Sequence, residues 1–191
     1  MARVKEFDPD VALQAALELF WERGYEGTSM ADLVERLGIG RASLYATFGD
    51  KHALYMKALR RYAELRDPSP VETLAQPGPV LPAVRAVLRD YCELSIADAR
   101  GCLVVNAAAE MLPSDEEVGR FVSGRWAELE TALTSALIRA RAQGELGEGT
   151  DPKALARLLL VLMQGLRVMA KASPEPARLQ DATEQALALL K

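Results

Sequence analysis

The sequence predicts an all-α chain of about nine helices, with a three-helix unit at the N-terminus and a larger helical domain after it. Three observations carry this expectation. Apolar residues recur at helical spacing through most of the 191 residues. Asp-Pro, Ser and Thr mark helix starts, while Gly and Pro mark stops. No segment has the alternating, β-rich pattern of a strand set.

Asp8-Pro9 opens the first helix, with Asp8 as cap and Pro9 at the position where its missing donor costs nothing. Ala12, Ala16, Leu19 and Phe20 form its core-facing stripe, and Gly24 ends it. The second helix starts at Thr28-Ser29, whose hydroxyls suit a helix cap. Asp32, three residues after Ser29, completes a capping-box pattern. Leu33, Val34 and Leu37 supply the apolar face. Gly38 then takes a left-handed helix end, and Ile39 plugs the corner. The third helix runs from Arg41 to Phe48, with Leu44 and Phe48 facing inward. Arg41, Ala42, Ser43, Tyr45 and Thr47 are left outside. So short a helix, with a cation, a hydroxyl and a phenol outward, has the right size for a DNA major groove about 12 Å wide.

Asp50 caps a fourth helix to about Arg66, with Leu54, Ala58, Tyr62 and Leu65 as its apolar side. The clearest boundary follows at 67–82. Pro68, Pro70, Pro77, Gly78, Pro79 and Pro82 punctuate it, with one helical turn at Val71–Ala75. Further helices are expected over Leu81–Ala97, Cys102–Met111 and, capped by Ser114, on to about Gln143. Val118, Val122, Trp126, Leu129, Leu133, Leu137 and Ala140 share one face of the last of these. Residues 144–149 form a loop. Asp151-Pro152 repeats the first start signal. The helix it opens carries Leu155, Leu158, Leu159, Leu162, Leu166 and Met169 on one side and Leu160, Val161 and Val168 on the other, the pattern of a helix buried all round. A last helix after Pro174 and Pro176 carries Leu179, Ala182, Ala186 and Leu190.

Thr28-Ser29, Asp32-Leu33, Gly38-Ile39, Ser43-Leu44-Tyr45, Phe48-Gly49 and Lys51 resemble the N-terminal domain of TetR/AcrR-type transcriptional regulators, in register over roughly residues 8 to 60. The resemblance implies a helix-turn-helix DNA-binding domain over 1–50, a linker helix at about 50–66, and a ligand-binding and dimerisation domain over 67–191. It also implies that Tyr45 contacts a phosphate. The DNA-facing set expected is Thr28, Ser29, Arg41, Ala42, Ser43, Tyr45, Thr47 and Lys51. Lys51 lies in a first helical turn, where a cation opposes the dipole and a phosphate would offset the cost. Two places depart from the family pattern: Gly40 stands where serine is frequent, and Ala46 and Thr47 replace bulkier residues. The implied partners are a double-stranded DNA operator, a second copy of the chain joined through the last two helices, and a small-molecule effector.

The net charge is −4, and its distribution is uneven. Residues 1–66 balance ten cations against ten anions, so the deficit lies in 67–191. Arg41, Lys51, Lys57, Arg60, Arg61 and Arg66 face only Asp50 and Glu64 within 41–66, a modest basic face. No apolar run approaches a membrane span, and MARVKEFDPD carries no apolar signal region. Two cysteines make no disulfide framework, so a reducing cytoplasm is expected.

His52 is the only histidine and reads as a solvent-exposed helix residue. Dense acidic or Cys/His clusters and a Gly-rich phosphate loop are also absent from the sequence, which argues against an enzyme, a metal or a cofactor. Candidate ligand-pocket residues are Tyr91, Cys102, Asn106, Glu110, Phe121, Trp126 and Met163. Asn106 and Glu110, four apart on an apolar helix, are either polar anchors in that pocket or interhelical hydrogen-bonding groups. Cys102 is either a reactive thiol at a helix start beside Arg100 or a small packing residue. Cys92 reads as core. The competing reading of the whole chain is a helical ligand-binding module that does not contact DNA.

Overall fold

A computed structural model describes residues 7–65, 69–172 and 175–190. The expected signals at Arg66, Pro68 and Pro174 lie outside them. The described residues form ten helices and no strand: α1 (Pro9–Arg23), α2 (Met30–Leu37), α3 (Arg41–Phe48), α4 (Lys51–Glu64), α5 (Pro70–Ala75), α6 (Val80–Ala97), α7 (Leu103–Met111), α8 (Glu116–Ala142), α9 (Pro152–Ala172) and α10 (Pro176–Ala188). The helix beyond the nine is α5, the single expected turn, made regular by a capping box between Ser69 and Glu72. No described helix is long and apolar enough to cross a membrane.

Local chemistry sets most boundaries. Asp8 accepts from the Asp10 amide at 2.8 Å, and Asp50 from the Ala53 amide at 2.8 Å. Ser29 and Asp32 make the full capping box at the start of α2. Gly38 ends α2 at φ 64°, with its amide shared between the Val34 and Glu35 carbonyls. Nothing crowds a Cβ there, so the backbone angle alone calls for glycine. Two starts differ from expectation. The cap of α8 is Asp115, accepting from the Val118 amide at 2.9 Å, not Ser114. Helix α6 follows Pro79, which has no side-chain acceptor. Glu145, from the loop after α8, takes its place and accepts from the Val80 and Leu81 amides at 2.9–3.0 Å.

Helix α1 packs on α2 and α4, and α4 on α7. Leu17, Phe20, Leu33, Leu44, Leu54, Tyr55 and Leu59 are enclosed in one core that also takes in Leu103, Ala107 and Met111 of α7 and Val118 and Val122 of α8. A second core joins α5, α6, α9 and α10 to the far half of α8, from Leu129 to Ala140. The 27-residue α8 therefore runs through both cores. On α4 the buried residues are Leu54, Tyr55, Met56, Ala58 and Leu59, whereas Leu65 is exposed past the helix end.

Polar contacts join the same halves. His52 is half-buried rather than solvent-exposed, with Nε2 2.7 Å from Asp115 Oδ2. Arg60 pairs with Glu117 at 2.8 Å. Glu110 on α7 accepts from the Tyr25 and Glu26 amides at 2.9 and 2.7 Å.

Helix α9 is not buried on all sides in the single chain. Leu155, Leu159, Met163 and Leu166 face the core, while Leu158, Val161, Val168 and Met169 are exposed. Leu158 and Met169 thus leave the face expected for them, and Met163 joins it. The drift arises because 3.6 residues per turn spreads a long apolar repeat around the helix.

Gly38→Ala is expected to lower stability by about 1 kcal/mol, the cost of forcing a Cβ into the left-handed region. An unchanged urea midpoint would refute that role. Asp115→Ala is expected to cost about 1 kcal/mol at neutral pH. The Val118 amide, and after it His52, hold the Asp115 carboxyl below its ordinary range. A depressed carboxyl stabilises the fold above its unfolded value, about pH 4, and ceases to do so as pH falls through the folded value. The gap between wild type and variant should therefore close in strong acid. Urea titrations across that range check this, and a gap independent of pH would contradict it.

Candidate nucleic-acid interface and the cavity behind it

Helix α3 is fastened by two side chains. Leu44 and Phe48 are buried against α1, α2 and α4, which turns Arg41, Ala42, Ser43 and Tyr45 to solvent and leaves Thr47 half-buried. Its N-cap is Gly40, which offers no side-chain acceptor, so the first amides of α3 stay open to water or an anion. The Arg41 guanidinium lies 5.7 Å from the centre of the Tyr45 ring. Lys51 follows one turn of chain later, its ammonium 4.2 Å over the Tyr25 ring.

The two N-terminal candidates sit differently. Thr28 is fully buried, with its hydroxyl donating to the Gly24 carbonyl at 2.7 Å, so its side chain faces the fold rather than DNA. Ser29 is exposed, but its hydroxyl and amide are occupied by Asp32. These interactions, with those of Arg23 behind them, hold Asp32 below the usual carboxylate range. The charged face is also narrower than the residue count implies. Lys57 donates to the Phe48 carbonyl at 3.3 Å, closing the end of α3. Arg60 is paired with Glu117, and Arg61 with Gln14 and Asp10. Arg41, Lys51 and Lys57 are the described cations of 41–65 that make no ion pair, and of these Lys57 is taken up by backbone carbonyls.

Behind this unit lies a cavity of about 460 Å³. Of the seven expected pocket residues it is lined by Tyr91, Cys102 and Trp126. The others are elsewhere. Met163 is enclosed in the second core, and Phe121 packs on the first. Asn106 donates to the Arg100 carbonyl at 2.9 Å and accepts from Lys171 at 3.2 Å. Glu110 caps the chain after α1. Both take the interhelical role, because their side chains point to the α7 face that meets α1 and α9.

The cavity includes residues that sequence periodicity missed: Trp21 from α1, Tyr62 from α4, and Arg125, Gln164 and Arg167 from α8 and α9. Trp21 carried no signal beyond helical spacing, yet its indole donates to the Gly101 carbonyl at 3.1 Å. The Arg100 guanidinium covers its ring at 3.8 Å. Arg100 in turn binds Glu18 at 2.6 Å and Asp98 at 2.7 Å. The hydrogen bonds from Arg100 hold the Asp98 carboxyl below its usual range. Burial, and next the neighbouring Cys102, push the Tyr62 phenol far above the ordinary tyrosine range. Cys102 itself is half-buried at the N-cap of α7, and Cys92 is core.

Comparison with known proteins agrees with this layout. The family model described as bacterial regulatory proteins, tetR family, matches residues 12–58, and the tetracyclin repressor-like C-terminal domain matches residues 79–186. The chain is 40% identical to the HTH-type transcriptional regulator YezE of Bacillus subtilis, over the whole of both chains. It is 34% identical to the HTH-type transcriptional repressor ComR of Escherichia coli, covering 88% of this chain and 82% of that one. Among solved structures, a cysteine-substituted form of the TetR family regulator CifR, complexed with 26-base-pair operator DNA, superposes with a TM-score of 0.86. It is 34% identical over the full length of both chains. Matched in both halves and over its full length, this chain belongs to the TetR family of bacterial transcriptional regulators.

Proposed function

We propose that the chain is a ligand-responsive transcriptional repressor that binds a near-palindromic operator as a homodimer. The observation that carries this reading is α3, an eight-residue helix anchored by Leu44 and Phe48 that presents Arg41, Ala42, Ser43 and Tyr45 outward. The CifR relative bound to operator DNA supports it, as does the repressor function named for ComR. In this reading residues 1–50 form the DNA-reading unit, α4 links it, and residues 67–191 bind ligand and dimerise. Arg41, Ala42, Ser43, Tyr45, Thr47 and Lys51 supply the contacts to bases and phosphates. Ser29 adds its exposed edge, and Thr28 acts by packing.

The exposed apolar face of α9, with Leu158, Val161, Val168 and Met169, is the face that a second copy covers. Leu189, exposed past the end of α10, extends it. The effector site is the cavity walled by Trp21 and Tyr62. These residues stand on α1 and α4, so a ligand that moves either one also moves the reading head. A protein with this task works in the cytoplasm, and its role is regulatory rather than enzymatic.

Selection of bound duplexes from a random pool, at near-physiological salt, should return a palindromic consensus. No enrichment from folded, dimeric protein would favour the non-DNA module instead. Replacing Arg41 and Lys51 by Ala and Tyr45 by Phe together should weaken operator binding by roughly a hundredfold or more while fold and dimer persist. Lys51→Ala alone should flatten the salt dependence of log K by about 2 per dimer. Fluorescence anisotropy on the selected duplex measures both, and an unaltered affinity in the triple variant would overturn the assignment of α3.

A further inference from the structure

Arg167 is the least expected residue of the cavity wall. It lies three-quarters of the way along α9, in a run that is otherwise mostly apolar, and only 7% of it is exposed. Its Nε is enclosed without a hydrogen-bond partner among the described residues. Its guanidinium stands 5.0 Å from the centre of the Tyr91 ring, and it makes no ion pair there. Arginine stays charged at any physiological pH, so it cannot escape burial by losing a proton. A buried, unpaired cation is costly unless an anion joins it.

The other charges of the cavity are already matched. Arg125 holds Glu128 at 2.6 Å. Asp98 is near enough to feel the charge of Arg167, but both its oxygens are engaged by Arg100 at 2.7–3.1 Å. Around Arg167 the wall is chiefly apolar and aromatic, with Trp21, Tyr62, Tyr91, Leu94, Trp126 and Leu129. One unmatched cation inside an aromatic wall suits one negative charge on an apolar body. A doubly charged head, such as a phosphate monoester, would leave a charge unpaired beside Asp98 and Glu128.

We propose that the cavity binds an amphipathic carboxylate, with its head on Arg167 and its body against the aromatic wall. This rests on the reading of the cavity as the effector site and adds the chemical class of the effector. The guanidinium fork matches a carboxylate in shape as well as charge. The Tyr62 phenol stands in the same cavity, with its hydroxyl engaged by the Cys102 thiol.

The chain has two tryptophans, Trp21 and Trp126, and both line the cavity, so its intrinsic fluorescence reports occupancy. The probes are 2-naphthoate and decanoate, each against its neutral amide. In the full-length protein each carboxylate is expected to bind about tenfold or more tighter than its amide, the worth of one charge-assisted hydrogen bond. Arg167→Met should abolish that preference, and Arg167→Lys should keep most of it. Circular dichroism melts show whether each variant folds. If the methionine variant does not fold, the comparison in wild type and in Arg167→Lys still decides. Equal binding of acid and amide would overturn the carboxylate proposal and leave the effector site standing. No binding by any of the four probes would overturn both. Selective carboxylate binding that leaves operator affinity unchanged would support the anion site and refute the ligand-responsive reading.

Discussion

The burial of α4 against α1 on one side and α7 on the other is the contact on which the rest of this structure depends. Tyr55 sits edge-on to both Phe20 and Tyr25, each at 5.0 Å between ring centres. Its phenol is wholly enclosed, and its hydroxyl has no partner among the described residues. An unpaired buried hydroxyl is unfavourable, so this ring position is held by packing rather than by hydrogen bonding. Because Leu103, Ala107, Met111, Val118 and Val122 close the same core, the DNA-reading unit has no hydrophobic interior of its own that stops at α4. A shift of α7 or of the first turns of α8 is felt directly by α1 and α4.

Polar bonds reinforce that arrangement at its edge. Glu110 caps the chain leaving α1, Asp115 caps α8 and reaches His52, and Glu117 takes Arg60. Each joins a residue of α7 or the start of α8 to a residue between Tyr25 and Arg60. The consequence for DNA binding is electrostatic. Arg60 and Arg61, which would otherwise widen the basic face, are committed to carboxylates behind it and Lys57 to backbone carbonyls, while Arg41 stands at the open start of α3 and Lys51 over the Tyr25 ring. Under the proposed function, recognition would lean more on placed contacts than on a broad positive field, which fits an acidic chain.

The cavity lies where these couplings meet. Trp21 is clamped between the Gly101 carbonyl and the Arg100 guanidinium, so the α6–α7 loop, the cavity and α1 share one side chain. Arg100 is itself held by Glu18 of α1 and Asp98 of the loop. Under the proposed function, a ligand entering beside Trp21 and Tyr62 would press on both α1 and α4. A coupling free energy between the two sites needs no longer chain of contacts than this.

Sequence alone determined the helices and the reading head. Capping residues and apolar spacing act within a few residues of one another, so Asp8, Ser29, Gly38 and Asp50 mark their boundaries by local chemistry. Leu44 and Phe48, four apart, fix which side of α3 faces out by the same short-range rule. Tertiary structure decided what depends on partners far along the chain. Periodicity separates inside from outside, but it does not distinguish core from cavity wall. Met163 and Trp126 therefore read alike in sequence, although one is enclosed in the core and the other lines a cavity. Asn106 and Glu110 read in sequence as either pocket anchors or interhelical hydrogen-bonding groups, and the structure supplied partners 6, 65, 84 and 85 residues away. Glu145, a loop residue by its neighbours, proved to be the cap of α6 across 65 and 64 residues. Arg167, one charge in a hydrophobic helix, acquired its meaning only when folding enclosed it beside Tyr91, with the nearby Asp98 already bonded to Arg100.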